Sequence, residues 1–114
     1  MFGCKRFLTA GLLVTAAASA FVAVAGETHV VVAKGFRFEP EAITIKVGDT
    51  VRWENQEKRQ FHSVLFPELG DTAADYFFPG ESREKTFNRV GTFPYVCEPH
   101  YESHKMKGVV TVVE

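Results

Sequence analysis

No segment of this chain carries a helical period, no internal repeat or low-complexity tract interrupts it, and its basic residues are in no excess over its acidic ones. The first absence turns the reading towards strands. The second leaves no sign of a repeat architecture, and the third removes the electrostatic footprint of a nucleic-acid binder. Cysteine is also scarce, with Cys4 and Cys97 the whole complement.

The two cysteines fall on opposite sides of an expected processing point. Lys5 and Arg6 precede an apolar stretch from Phe7 to Val24, which ends in the small-residue triplet Ala23-Val24-Ala25 before Gly26. A charged start, an apolar middle and an A-x-A site read as an export signal peptide. Cleavage is expected after Ala25, with Ala20 as the alternative point. An uncleaved anchor is the competing reading, since an apolar run of about 18 residues is enough to span a bilayer. Residues 1–25 are thus read as signal peptide and 26–114 as one domain, with no stable membrane insertion after cleavage. The eleven basic and fourteen acidic residues after position 25 give that domain a net charge of −3. A domain of this size buries only about 60% of its unfolded surface, so a bound metal would add to its stability. Export leaves Cys97 without a pairing partner where thiols normally pair, so it must be buried, bridged to another molecule or bound to something.

The remainder reads as short strands separated by Gly and Pro turns. Thr28 to Ala33 is β-branched and apolar and leads to Lys34-Gly35 and the aromatic residues Phe36 and Phe38. Ile43, Ile45 and Val47 alternate with Thr44 and Lys46. After Gly48-Asp49, Val51, Trp53 and Asn55 alternate with Arg52 and Glu54. Both runs have the period of a sheet with one wet face, and the turn is expected to join two strands of opposite direction. Gln56 to Gln60 is polar and reads as a solvated loop, Phe61 to Phe66 as a strand, and 67–80 as a surface connection with a short helical turn. Strands at Glu84–Asn88, Phe93–Cys97 and Gly108–Val113 complete the set, the last with valines on both parities as if covered on two sides. Seven or eight such strands predict an all-β, Greek-key β-sandwich. Trp53, Phe38, Phe87, Phe93 and Tyr95 are expected in its core, with at least one of Tyr76, Phe77 and Phe78.

Four soft or borderline ligands fall late in the chain, in Cys97-Glu98-Pro99-His100 followed by His104 and Met106, and His62 lies upstream. A thiolate, imidazoles and a thioether suit copper. Two histidines and a thiolate with a long methionine contact serve both oxidation states moderately, so little rearrangement accompanies electron movement. Cys97 at a strand end and His100 three residues on can face one point, Pro99 stiffens the loop between them, and His62 must arrive from an adjacent strand.

Phe38-Glu39-Pro40-Glu41-Ala42-Ile43 with Val47-Gly48-Asp49-Thr50-Val51-Arg52-Trp53-Glu54-Asn55, then Gly91 to His100, then Met106 to Val112 together resemble a cupredoxin of the plastocyanin, pseudoazurin and amicyanin type over nearly the whole mature chain. The resemblance implies one mononuclear type 1 copper ion held by His62, Cys97, His100 and Met106. It also implies a small, monomeric periplasmic carrier that meets redox proteins such as cytochromes or oxidases transiently, and no enzyme. Two departures stand out. The family usually has its methionine five positions after the loop histidine, where this chain has Lys105; Met106 lies six on, in register with the strand that follows, and His104 is a rival donor. Ser63 also replaces the usual asparagine that ties the two ligand loops together. A copper-delivery protein and a zinc site of Cys97, His62, His100 and His104 remain as alternatives. A binuclear copper centre is disfavoured because the loop supplies one cysteine.

Overall fold

The computed structural model describes residues 26–114, together with Gly3 and Gly11. The expected leader and its cleavage point, with Cys4, lie outside the described residues. Among those residues no helix is long and apolar enough to cross a membrane. The elements run β1 (Thr28–Lys34), β2 (Arg37–Glu39), β3 (Ala42–Lys46), β4 (Thr50–Asn55), β5 (His62–Ser63), a 3-10 turn (Pro67–Leu69), β6 (Tyr76–Phe77), β7 (Ser82–Thr86), β8 (Gly91–Val96), helix α1 (Glu98–His104) and β9 (Lys107–Val113).

Two sheets carry the fold, one in the order β2-β1-β4-β7 and the other β3-β9-β8, while β5 and β6 form a separate ladder. β1 runs parallel to β4, and β3 parallel to β9. The inner faces share one apolar cluster, with Val31, Val51 and Trp53 from the first sheet and Ile45, Phe93, Tyr95, Val110 and Val112 from the second. The alternation read in β4 is observed: Val51, Trp53 and Asn55 are buried while Arg52 and Glu54 are not. All five aromatic residues assigned to the core are buried, as is Phe77. Tyr95 is their hub, making aromatic contacts with Phe38 (4.9 Å), Trp53 (5.4 Å) and Phe66 (4.9 Å). Such pairs each contribute about 0.5–1.5 kcal/mol beyond their burial.

The all-β sandwich stands, with four differences of detail. There are nine strands rather than seven or eight, because the short β2 and β6 form where a corner and a surface connection were expected; of the expected strand at 61–66 only His62–Ser63 and an isolated bridge from Leu65 to Val96 remain. The turn at Gly48-Asp49 does not close a paired hairpin, since β3 and β4 belong to different sheets and the chain crosses the sandwich there. β9 buries Gly108, Val110 and Val112, and its other parity is only partly covered. Finally, a helix occupies 98–104. It is seven residues long and buries none of them, so it leaves no apolar stripe to be read.

Asp49 secures the crossing. Its Oδ2 accepts from Lys46 N–H (3.0 Å) and meets His29 Nε2 (2.9 Å), and its Oδ1 accepts from Glu27 N–H (2.9 Å). The Lys46 N–H, then His29, hold its carboxyl below the ordinary carboxylate value. A depressed folded value means that this contribution to stability is complete above the unfolded carboxylate range and lost as pH falls through the folded value. Asp49→Ala is therefore expected to melt below the native chain at neutral pH, with the gap narrowing as pH falls through and below the ordinary carboxylate range. Thermal melts across that range check it, and a gap independent of pH would count against the role.

Candidate metal centre

Four backbone segments converge at one end of the sandwich. Leu65 and Val96 exchange both backbone hydrogen bonds (2.9 and 3.0 Å), which staples the segment after β5 to the end of β8. That staple brings His62 beside Cys97, the N-cap residue of α1. Pro99 falls in the first helical turn, where a missing N–H costs nothing, and His100 follows it. Cys97 N–H donates to Met106 O (3.0 Å), closing the segment on itself. Residues 98–104 form helix α1, which Lys105 ends in the left-handed conformation (φ 54°).

One donor atom each from His62, Cys97 and His100 lies within 4.8 Å of the others. Cys97 Sγ is 3.7 Å from His62 Nδ1 and 3.4 Å from His100 Nδ1. Cys97 and His62 are fully buried and His100 is partly so. The far nitrogen of His62 donates to Glu57 Oε1 (3.2 Å), an atom that can only accept, so the Nδ1 lone pair faces the sulfur. Met106 is also buried, at 1% exposure. Ser63 keeps the bracing role of the longer residue it replaces. Its backbone N–H donates to Cys97 Sγ (3.4 Å), and its Oγ accepts from Glu98 N–H (3.0 Å), so the two ligand segments are tied after all.

Burial dominates the electrostatics. It pushes the Cys97 thiol up against the opposing Ser63 N–H. It pulls His62 down against Glu57, and His100 down with help from the neighbouring imidazoles of His62 and His104. Burial thus favours the neutral form of both imidazoles, that of His62 with its Nδ1 lone pair directed inward, and the thiol keeps its proton until a cation compensates the thiolate. A buried sulfur between two neutral Nδ1 atoms, with a buried thioether close in the chain, is a donor set that fits copper.

His104 is not among the clustered donors. It is exposed at the end of α1, its Nδ1 meets Ser103 Oγ (2.7 Å), and its ring stacks on Phe36. His29 pairs with Asp49 at the 48–49 crossing. Two residues of the site escaped the sequence reading. Glu57, placed in a solvated loop, has a side chain only 15% exposed and buttresses His62. A signal existed in Asn55, a polar residue on the buried parity of β4: its Nδ2 donates to Gln60 O (2.8 Å) and Phe77 O (3.0 Å), and its Oδ1 accepts from Glu57 N–H (2.9 Å), folding the loop inward. Phe36, read as part of a corner, touches both His100 and His104. On another side of His100 lies Phe61, at 6.0 Å between ring centroids, followed by the exposed Tyr76 and Phe78.

Residues 24–113 match the family of copper binding proteins described as plastocyanin/azurin. The chain is similar to plastocyanin of Scenedesmus fuscus, at 41% identity over 85 residues that cover 66% of this chain and 85% of that protein. It is similar to amicyanin-alpha of Methylorubrum extorquens, at 35% identity over 108 residues covering 91% and 87%. Among solved structures, the crystal structure of amicyanin from Paracoccus versutus superposes with a TM-score of 0.67 at 30% identity, covering 75% of this chain and 81% of that one.

Proposed function

Because the chain belongs to the copper-binding family of plastocyanin and azurin, a family of electron carriers rather than enzymes, we propose that it is an exported single-electron carrier whose copper is held by His62, Cys97, His100 and, more weakly, Met106. The buried Cys97 sulfur between two inward-facing Nδ1 atoms carries this reading. When bound, copper in such a set gains and loses one electron with little change in its surroundings.

The chain's own residues do the rest. Glu57 and Ser63 fix the tautomer of His62 and the position of the sulfur before any metal arrives. Met106 fills the fourth position from within the core. His100, the least buried of the three clustered donors, is the point of electron exit, and Phe61 beside it, with Tyr76 and Phe78 against Phe61, offers apolar surface for brief docking. The partners are redox proteins such as cytochromes or oxidases, met in the periplasm after the 1–25 leader directs export, and the carrier works as a monomer. The exposed Lys34, Lys58 and Arg59 line a groove beside the Glu57 loop whose one carboxylate is turned inward, which suits a partner with an acidic face. A copper-delivery role would draw on an exposed His104 and the longer loop, and the stacking of that ring on Phe36 speaks against it.

Optical and electron-paramagnetic spectra of the oxidised copper form test the assignment. The native chain is expected to be intensely coloured. Met106→Ala should change the copper hyperfine pattern and raise or lower the reduction potential measurably, while His104→Ala should leave both unchanged. A pattern that answers to His104→Ala and ignores Met106→Ala would reverse the choice of fourth ligand, and a colourless native protein would sink the carrier reading.

A further inference from the structure

Phe36 occupies a position that its own backbone disfavours. The β1–β2 hairpin closes from the Lys34–Arg37 pair through two residues, Gly35 and Phe36, both with positive φ (62° and 58°). Two-residue hairpin turns with positive φ at both positions favour glycine and asparagine, and a bulky side chain there is strained. Its ring lies parallel to that of His104, 3.7 Å between centroids at 5°, and meets His100 edge-on, 4.9 Å at 76°. Among the described residues the non-glycine positions with positive φ are Phe36 and Lys105, and Lys105 immediately follows His104. Both strained positions therefore flank one contact, and strain of this kind clusters where a side chain must be held for function.

His104 is one helical turn beyond His100 on the same face of α1, with 6.3 Å between the ring centroids. An imidazole is a harder donor than a thioether and favours oxidised copper. An unrestrained His104 would compete with Met106 for the fourth position.

We propose that Phe36 is a positioning residue for the metal centre: its ring holds His104 outside the donor cluster and braces His100 edge-on. The strained turn is retained because a glycine there would have no ring to hold. This rests on the metal-centre reading given above.

Phe36→Gly tests it with little risk to the fold, because glycine suits the turn better than phenylalanine does. In the metal-free variant the order of the His104 ring, read by NMR relaxation of its protons, should fall towards that of an unrestrained surface imidazole, while Phe36→Tyr should keep it near the native value. In the oxidised copper form, Phe36→Gly should widen the copper hyperfine splitting towards a tetragonal pattern and lower the reduction potential. Phe36→Gly with His104→Ala should return both to the values of His104→Ala alone. A His104 ring as ordered in Phe36→Gly as in the native chain would overturn the clamp whether or not copper binds as proposed. A changed copper spectrum in Phe36→Gly that persists in the double variant would overturn the exclusion of His104. A native protein without the thiolate colour defeats the carrier reading, and the metal-free relaxation then still decides the clamp.

Discussion

Cys97→Ser is expected to abolish the visible colour of the copper-loaded protein and to leave the metal-free fold intact. Serine is nearly the same size, and its oxygen can accept the Ser63 N–H that now points at the sulfur (3.4 Å), so the packing around a fully buried position survives. What is lost is the soft anionic donor. The colour arises from thiolate-to-copper charge transfer, which a hydroxyl does not supply. Copper(I) affinity should fall by well over the roughly 10–100-fold that losing an outer partner of a ligand costs, because here the ligand itself is lost. The pH dependence of binding should change with it. Burial holds the Cys97 thiol above its ordinary value, so at neutral pH the metal-free native chain keeps that proton and releases about one per copper bound. Native copper affinity should therefore rise with pH, and the variant should lose that slope. Titration in buffers of different ionisation enthalpy, beside an optical spectrum, measures both. A variant that stays coloured would remove the thiolate from the centre.

The residues of this centre were legible because their chemistry is unusual, and the chain that positions them was less so. A lone cysteine in a chain read as exported needs an explanation, and His100 three residues later supplies a companion. Core residues were legible for a similar reason, since Val51, Trp53 and Asn55 repeat a period that only a half-buried strand maintains. Strand partners were not. A Gly48-Asp49 turn looks the same whether the chain returns within one sheet or crosses to the other, and the decision lies with β9, more than sixty residues downstream. The helix at 98–104 escaped because seven residues, none of them fully buried, capped by Cys97 and Lys105, carry no periodic stripe. Glu57 and Phe36 escaped because each does its work through a contact with a distant segment. A polar loop and a turn aromatic have ordinary local explanations, and only the fold brings them to His62 and His100.

Gly108→Ala is expected to destabilise the fold despite adding a single methyl group. Gly108 is directly opposite Tyr95 in the β8–β9 ladder, and the Tyr95 ring lies across it. A Cβ there would fall deep inside van der Waals contact with Tyr95 Cζ and Oη, and only 2.8 Å from Cε1. The ring has nowhere to go, since Phe38, Trp53 and Phe66 enclose it and it is 1% exposed. The strand must yield instead. Overpacking of this kind costs about 1–3 kcal/mol, and for a domain of this size each kcal/mol lowers the melting temperature by about 4–8 °C. Met106 lies two residues before Gly108 and holds Cys97 N–H through its carbonyl, so a displaced β9 should also disturb the copper spectrum. Tyr95→Phe separates the causes. It deletes the buried Oη, which has no hydrogen-bond partner, and should cost little alone. Combined with Gly108→Ala it should recover only part of the loss, because Cζ and Cε1 still obstruct the new methyl. Denaturant midpoints for the two single variants and the double variant read that coupling directly. If Gly108→Ala leaves the midpoint where it was, the Tyr95 ring is free to move and the close approach does not hold β9 in place.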